Sequence, residues 1–165
     1  QPHKPVILAH IFETIGQARY EPSSSLFKRW IPKSEPRVNF EEARTSAYWA
    51  AGRIFEGSTD VALAQQLKAR FTDVNPDTGM PESQMVRYAA GIALGRIEAT
   101  EVAPDLRRFA LTKAGEPELA AAWSLERLTG EVVSPPEPVT VTGAHWVLLP
   151  IGSRRKTATT DQQSR

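Results

Sequence analysis

The chain of 165 residues contains no cysteine. This absence excludes disulfides, metal sites built on thiolates and a cysteine nucleophile. No apolar run is long enough to cross a bilayer as a helix, so the sequence predicts no membrane span. A lack of cysteine does not by itself fix the compartment, and the sequence predicts no localisation.

The chain also lacks an excess of charge of either sign. Lys and Arg together number 20 against 19 for Asp and Glu, which leaves a net charge of +1. This balance argues against nucleic acid or a membrane surface as a partner. Residues 152–165 are the exception, with a net charge of +3, and we expect a disordered, solubilising basic tail there. Because the chain begins with Gln1, we expect a processed form or a fragment, and the rest of a larger polypeptide is a candidate partner.

The usual signatures of catalysis are missing as well. The three histidines, His3, His10 and His145, lack any metal-ligand spacing. No serine lies in a nucleophile elbow, and there is no glycine-rich phosphate loop. We therefore expect no catalytic residue, no cofactor and no metal ion, and a non-enzymatic role is favoured.

What the chain does contain is helical periodicity, strongest over residues 81–111. Pro81 suits the first turn of one helix, and Thr100 is a candidate N-cap for a second helix in which Pro104 is tolerated. Small and apolar residues recur at helical spacing through the first helix. A helix pair of this size cannot bury both of its faces alone and needs copies of itself on either side.

Fainter copies of this pair recur along the chain. They cover residues 5–31 and 41–71, and a final single helix is predicted over 117–128. The first helix of each copy contains a related segment: IFETIGQA, YWAAGRIF, GIALGRIE and AWSLERLT. Gly16, Gly52 and Gly95 hold one aligned position. The copies lie about 30 to 45 residues apart, a period typical of an α-solenoid.

This pattern resembles the HEAT-like repeat family, in its short form first associated with phycobilisome lyases. The resemblance is carried best by VRYAAGIALGRIEATEVAPDLRRF and by AAAWSLERLTGE. It implies an all-α fold, an armadillo-like, right-handed α-α superhelix of about three helix pairs plus a final single helix, in residues 1–130. Residues 131–151 are expected to be an extended or β segment that packs as a cap; presentation of 139–151 as a strand to a partner is the alternative.

The sequence leaves two classes of function open. The first is a non-catalytic protein-binding or scaffolding module that uses the surface of the stacked helix pairs. The second is an enzyme on a HEAT-like scaffold, similar to a pigment lyase or a DNA glycosylase, which the resemblance alone suggests. The near-zero net charge argues against the glycosylase, because DNA binding needs a basic groove.

Five residues are candidates for contact with a protein partner. Arg53, Arg96 and Arg127 hold one aligned position next to the repeat glycines, and would pair with acidic groups on a partner. The alternative is an exposed helix face with intramolecular pairs to residues such as Glu56 or Glu98. The other two candidates are the adjacent aromatic residues Tyr48 and Trp49. Successive helix residues point about 100° apart, so one of the two is expected to be exposed, with burial of both as the alternative.

Overall fold

The computed structural model describes residues 4–28, 30–32, 40–74, 81–112 and 115–133, with only the backbone described for Ser24 and Lys28. Residues 134–151 of the predicted cap, the basic tail and residues 33–39 and 75–80 lie outside the described residues. Within the described part of the chain there are seven α-helices and no strand, which confirms the all-α prediction. The helices are α1 (Lys4–Ala18), α2 (Ser24–Lys28), α3 (Glu41–Ile54), α4 (Val61–Phe71), α5 (Gln84–Arg96), α6 (Ala103–Ala110) and α7 (Glu116–Thr129).

The helices form three successive pairs and a final single helix. Helices α1, α3, α5 and α7, called here the stacked helices, pack side by side in chain order. The shorter helices lie against the next member of the stack: α2 against α3, α4 against α5, and α6 against α7. Each hairpin therefore buries its apolar surface mainly against its neighbours, and none has a complete core of its own.

The repeat glycines lie where successive stacked helices cross. A Cβ built on Gly16 would lie 2.8 Å from the Cα of Ala50, and one built on Gly52 would lie 2.8 Å from the Cα of Ala93. A Cβ on Gly95 would lie 3.0 Å from the Cα of Ser124 in the same way.

The partner residue in each crossing stands two positions before the aligned repeat residue of the next helix, as Ala50 stands before Gly52. The three crossings therefore share one register. Only glycine permits this close approach of two helix backbones, which explains why a residue unfavourable to helices recurs inside them.

Side-chain caps set the starts of two helices. The Asp60 carboxylate accepts a hydrogen bond from the Leu63 amide at the start of α4. Ser83 caps α5 by accepting from the Val86 amide, so the helix starts after Ser83 and the prediction that Pro81 lies in its first turn is wrong.

The other helix ends differ in detail from expectation. Thr100 begins a 3-10 turn (Thr100–Val102) that leads into α6, rather than capping α6 directly. Gly130 ends α7 in the left-handed conformation, with φ 75°, which glycine commonly adopts at helix C-termini.

A buried ion pair ties the start of α5 to α3. The Arg44 guanidinium in α3 donates to the Glu82 carboxylate, and both side chains are almost fully buried. Arg44 also donates to the Tyr48 hydroxyl at 3.0 Å and to the Trp30 carbonyl at 3.1 Å. The Tyr48 hydroxyl in turn donates to the Ile31 carbonyl at 2.6 Å. This network connects three parts of the chain that are distant in sequence.

Candidate functional site

Four arginines gather where the stacked helices end. Arg53 and Arg127 lie in the last turns of α3 and α7, Arg96 is the last residue of α5, and Arg19 directly follows α1. We call these four residues the arginine rim. Cations are stabilised at helix C-termini by the helix dipole, which accounts in part for arginine at this place in successive repeats.

Glu56, just beyond the end of α3, is bound by two members of the arginine rim. Arg19 donates to Glu56 Oε2 at 2.6 Å, and Arg127 donates to Glu56 Oε1 at 3.1 Å. Arg127 also donates through Nε to the Gly95 carbonyl at 3.1 Å, in the last turn of α5. One carboxylate thus links the ends of the first and last stacked helices. For Arg127, the alternative stated from the sequence, an intramolecular ion pair with Glu56, is the one observed.

The other two members, Arg53 and Arg96, lie on the ring of Trp49. Their Cζ atoms are 5.8 Å and 5.6 Å from the centroid of the ring, within the range of a cation–π contact. Arg53 Nε and Arg96 Nη1 are buried and have no hydrogen-bond partner among the described residues. A buried donor without an acceptor carries a desolvation penalty that a bound acceptor group would offset.

The surroundings of Arg96 are unfavourable to its charge. Burial lowers the pKa of Arg96 to about 10; the neighbouring Arg53 and Arg127 lower it as well, and Glu56 opposes them. The side chain still carries its charge at pH 7. The arginine rim therefore concentrates positive charge that its own carboxylate only partly compensates, which is a property of anion-binding sites.

The expectation that Tyr48 or Trp49 is exposed is wrong. Tyr48 is fully buried and Trp49 is only 7% exposed. Burial also raises the pKa of the Tyr48 hydroxyl. The reason is that α3 packs between α1 and α5, so that every residue from 43 to 52 is buried. Tyr48 cannot touch a partner in this structure, whereas Trp49 forms the base on which two rim arginines lie.

The structure brings together all three arginines that the sequence singles out and adds Arg19 to them. Arg19 does not hold their aligned position, which is Gln17 in the first copy. It reaches the rim because α1 ends at Ala18, one residue before Arg19, and because Arg19 itself adopts the left-handed conformation, with φ 49°. No simple signal in the sequence indicates that turn.

The described part of the chain contains neither a cluster of metal ligands nor a membrane-spanning helix. No three His, Asp or Glu side chains there are placed to hold a metal ion. No helix of the described residues is long and apolar enough to cross a membrane.

Comparison with known proteins supports the repeat assignment. The family model described as the PBS lyase HEAT-like repeat matches residues 86–112, which confirms the resemblance noted for α5 and α6. Neither the search of curated proteins nor the search of solved structures found a match to this chain.

Proposed function

We propose that this chain is a non-catalytic protein-binding or scaffolding module, and that the arginine rim is its contact with an acidic partner. The observation that carries the proposal is the gathering of four guanidinium groups around Trp49 and a single carboxylate, with two buried donors, on Arg53 and Arg96, that lack acceptors among the described residues. A fold under selection for stability alone does not benefit from such donors, because each carries a desolvation penalty that nothing offsets.

The arrangement of the rim favours an extended partner over a small ligand. Its members come from all four stacked helices, so that a partner bound there bridges successive repeats. Arg19 and Arg127, whose side chains are 53% and 38% exposed, are the members that a partner reaches first. Arg53 and Arg96 lie deeper on Trp49 and would receive an acidic group that enters between them. Guanidinium groups held in place by an aromatic ring lose little side-chain freedom on binding.

Charge reversal on the rim tests this proposal. The double variant R53E/R127E is expected to lose capture of the partner by the immobilised protein, because two repulsive contacts replace two attractive ones. The loss should be at least about tenfold, since a broken charged contact typically costs more than 1.4 kcal/mol. Retained protein is identified by mass spectrometry and quantified against the original chain.

The matched control for this experiment is the double variant R107E/R108E. It makes the same change in charge on α6, where Arg107 pairs with Glu131 and Arg108 pairs with Asp105 rather than with Glu56. The control is expected to capture the partner as the original chain does. Equal capture by R53E/R127E and the original chain would remove the arginine rim from the function.

A further inference from the structure

Glu56 occupies the arginine rim in the way that a partner's carboxylate would. It uses one carboxylate oxygen for Arg19 and the other for Arg127, at 2.6 Å and 3.1 Å. Its side chain is 24% exposed, so that it sits at the mouth of the rim rather than in the core. The rim is therefore partly satisfied by a carboxylate that the chain itself supplies.

The carboxylate of Glu56 does not supply acceptors for all the donors of the arginine rim. Arg53 Nε and Arg96 Nη1 stay without partners although Glu56 lies close enough to influence the charge of Arg96. Four guanidinium groups offer many more donors than the two oxygens of one carboxylate can accept. The rim therefore offers a second anionic group both unpaired donors and uncompensated positive charge.

We propose that the rim recognises an acidic segment of a protein through its carboxylates, and that Glu56 is an internal competitor which such a segment displaces from Arg19 and Arg127. This inference rests on the proposed function and names the ligand class and the regulation of the same site. Carboxylate is favoured over phosphate because a carboxylate is the group that the rim already holds, at hydrogen-bond distance from two guanidinium groups.

If Glu56 competes with the acidic segment, removal of its charge is expected to tighten binding of that segment. The variant E56Q keeps the size of the side chain and takes away the negative charge, which frees Arg19 and Arg127 and removes repulsion of the incoming carboxylates. Binding of a fluorescein-labelled hexaglutamate peptide, followed by fluorescence anisotropy at low salt, is expected to tighten by about three- to tenfold. If Glu56 only positioned the arginines, the same variant would weaken binding.

The chain offers a matched control in Glu98. This exposed residue lies near the same end of the stack, with its carboxylate 3.9 Å from where a Cβ on Gly57 would lie. No ion pair joins Glu98 to a rim arginine within the described residues. The variant E98Q removes the same charge from the neighbourhood and is expected to change the peptide affinity by less than about twofold. An equal effect of E56Q and E98Q would reduce the result to general electrostatics and overturn the competitor role.

Further arms of the titration separate the remaining outcomes. Hexaglutamate is expected to lose binding in R53Q/R96Q. The variant E56D keeps the negative charge on a shorter side chain and is expected to tighten binding less than E56Q. Inorganic phosphate and a short single-stranded oligonucleotide serve as competitors. Tighter binding of either of them than of hexaglutamate would overturn the carboxylate assignment.

The capture experiment and the peptide titration together distinguish this inference from the proposed function. Capture of a partner that depends on Arg53 and Arg127, together with an unchanged peptide affinity in E56Q, would refute the competitor role and leave the binding function standing. Capture that is insensitive to the rim would refute the binding function itself. Thermal unfolding of each variant verifies that the compared proteins are folded.

Discussion

Replacing Gly52 by alanine is expected to lower the free energy of unfolding by about 2 to 3 kcal/mol, the cost typical of overpacking a close contact. The new Cβ would lie 2.8 Å from the Cα of Ala93 and 2.9 Å from its Cβ. Both neighbours are fixed parts of α5, so that α3 and α5 have to move apart. Elsewhere in a helix the same substitution stabilises by up to about 1 kcal/mol, so the sign of the change is diagnostic.

Two control variants isolate this effect in urea unfolding followed by circular dichroism. A Cβ on Gly91 would meet the Ala120 Cβ at 3.0 Å and the Phe71 ring edge at 3.3 Å, which are looser contacts than the one of 2.8 Å at Gly52, so that Gly91→Ala should cost less. The exposed Ala69 in α4 provides the propensity control, and Ala69→Gly should cost about 1 kcal/mol. A Gly52→Ala protein more stable than the original chain would show that the helices do not approach as described.

Replacing Glu82 by alanine is the second substitution with a large expected effect, a loss of about 3 to 5 kcal/mol. The change leaves the Arg44 guanidinium buried, with its charge unpaired, beside Tyr48. The Ser83 amide also loses an acceptor, because Glu82 Oε1 lies 3.3 Å from it. Since domains of this size are stable by only about 5 to 15 kcal/mol, much of the protein is expected to unfold at moderate temperature.

A double variant separates loss of the pair from loss of the side chain. When Arg44→Met is combined with Glu82→Met, no charge remains buried, and most of the stability should return. The exposed Glu101 provides the surface control, since Glu101→Ala removes a carboxylate with little burial. Thermal unfolding by calorimetry measures all of them. A shift for Glu82→Ala no larger than that for Glu101→Ala would contradict the structural role of the ion pair.

The sequence predicts the helices and their stacking well because both depend on local periodicity and on a repeated glycine. The copy predicted over 41–71 begins and ends with α3 and α4, and α7 extends the helix predicted over 117–128 by one residue at each end. The predicted start of α5 at Pro81 is wrong, because proline and serine are both good signals near a helix start. Only the hydrogen bond that Ser83 accepts decides between them. The burial of Tyr48 depends on two neighbouring helices, which periodicity within α3 does not reveal.

The candidate site was predictable in part. The common position of Arg53, Arg96 and Arg127 in the repeat is enough to place them at the same end of successive helices. The contribution of Arg19 depends on a single left-handed residue, and the central place of Glu56 depends on contacts with the first and last stacked helices. Such contacts link residues far apart in sequence, and a repeat pattern carries no information about them.

The claim that guanidinium groups from successive repeats act as one binding site is tested most directly by nuclear magnetic resonance of the arginine side chains. In a titration with hexaglutamate, the Nε–Hε signals of Arg53 and Arg96, assigned by substitution to lysine, are expected to shift together and to saturate with one dissociation constant. The signals of Arg107 and Arg108 should stay in place. Shifts confined to Arg107 and Arg108, or separate affinities for Arg53 and Arg96, would contradict the claim.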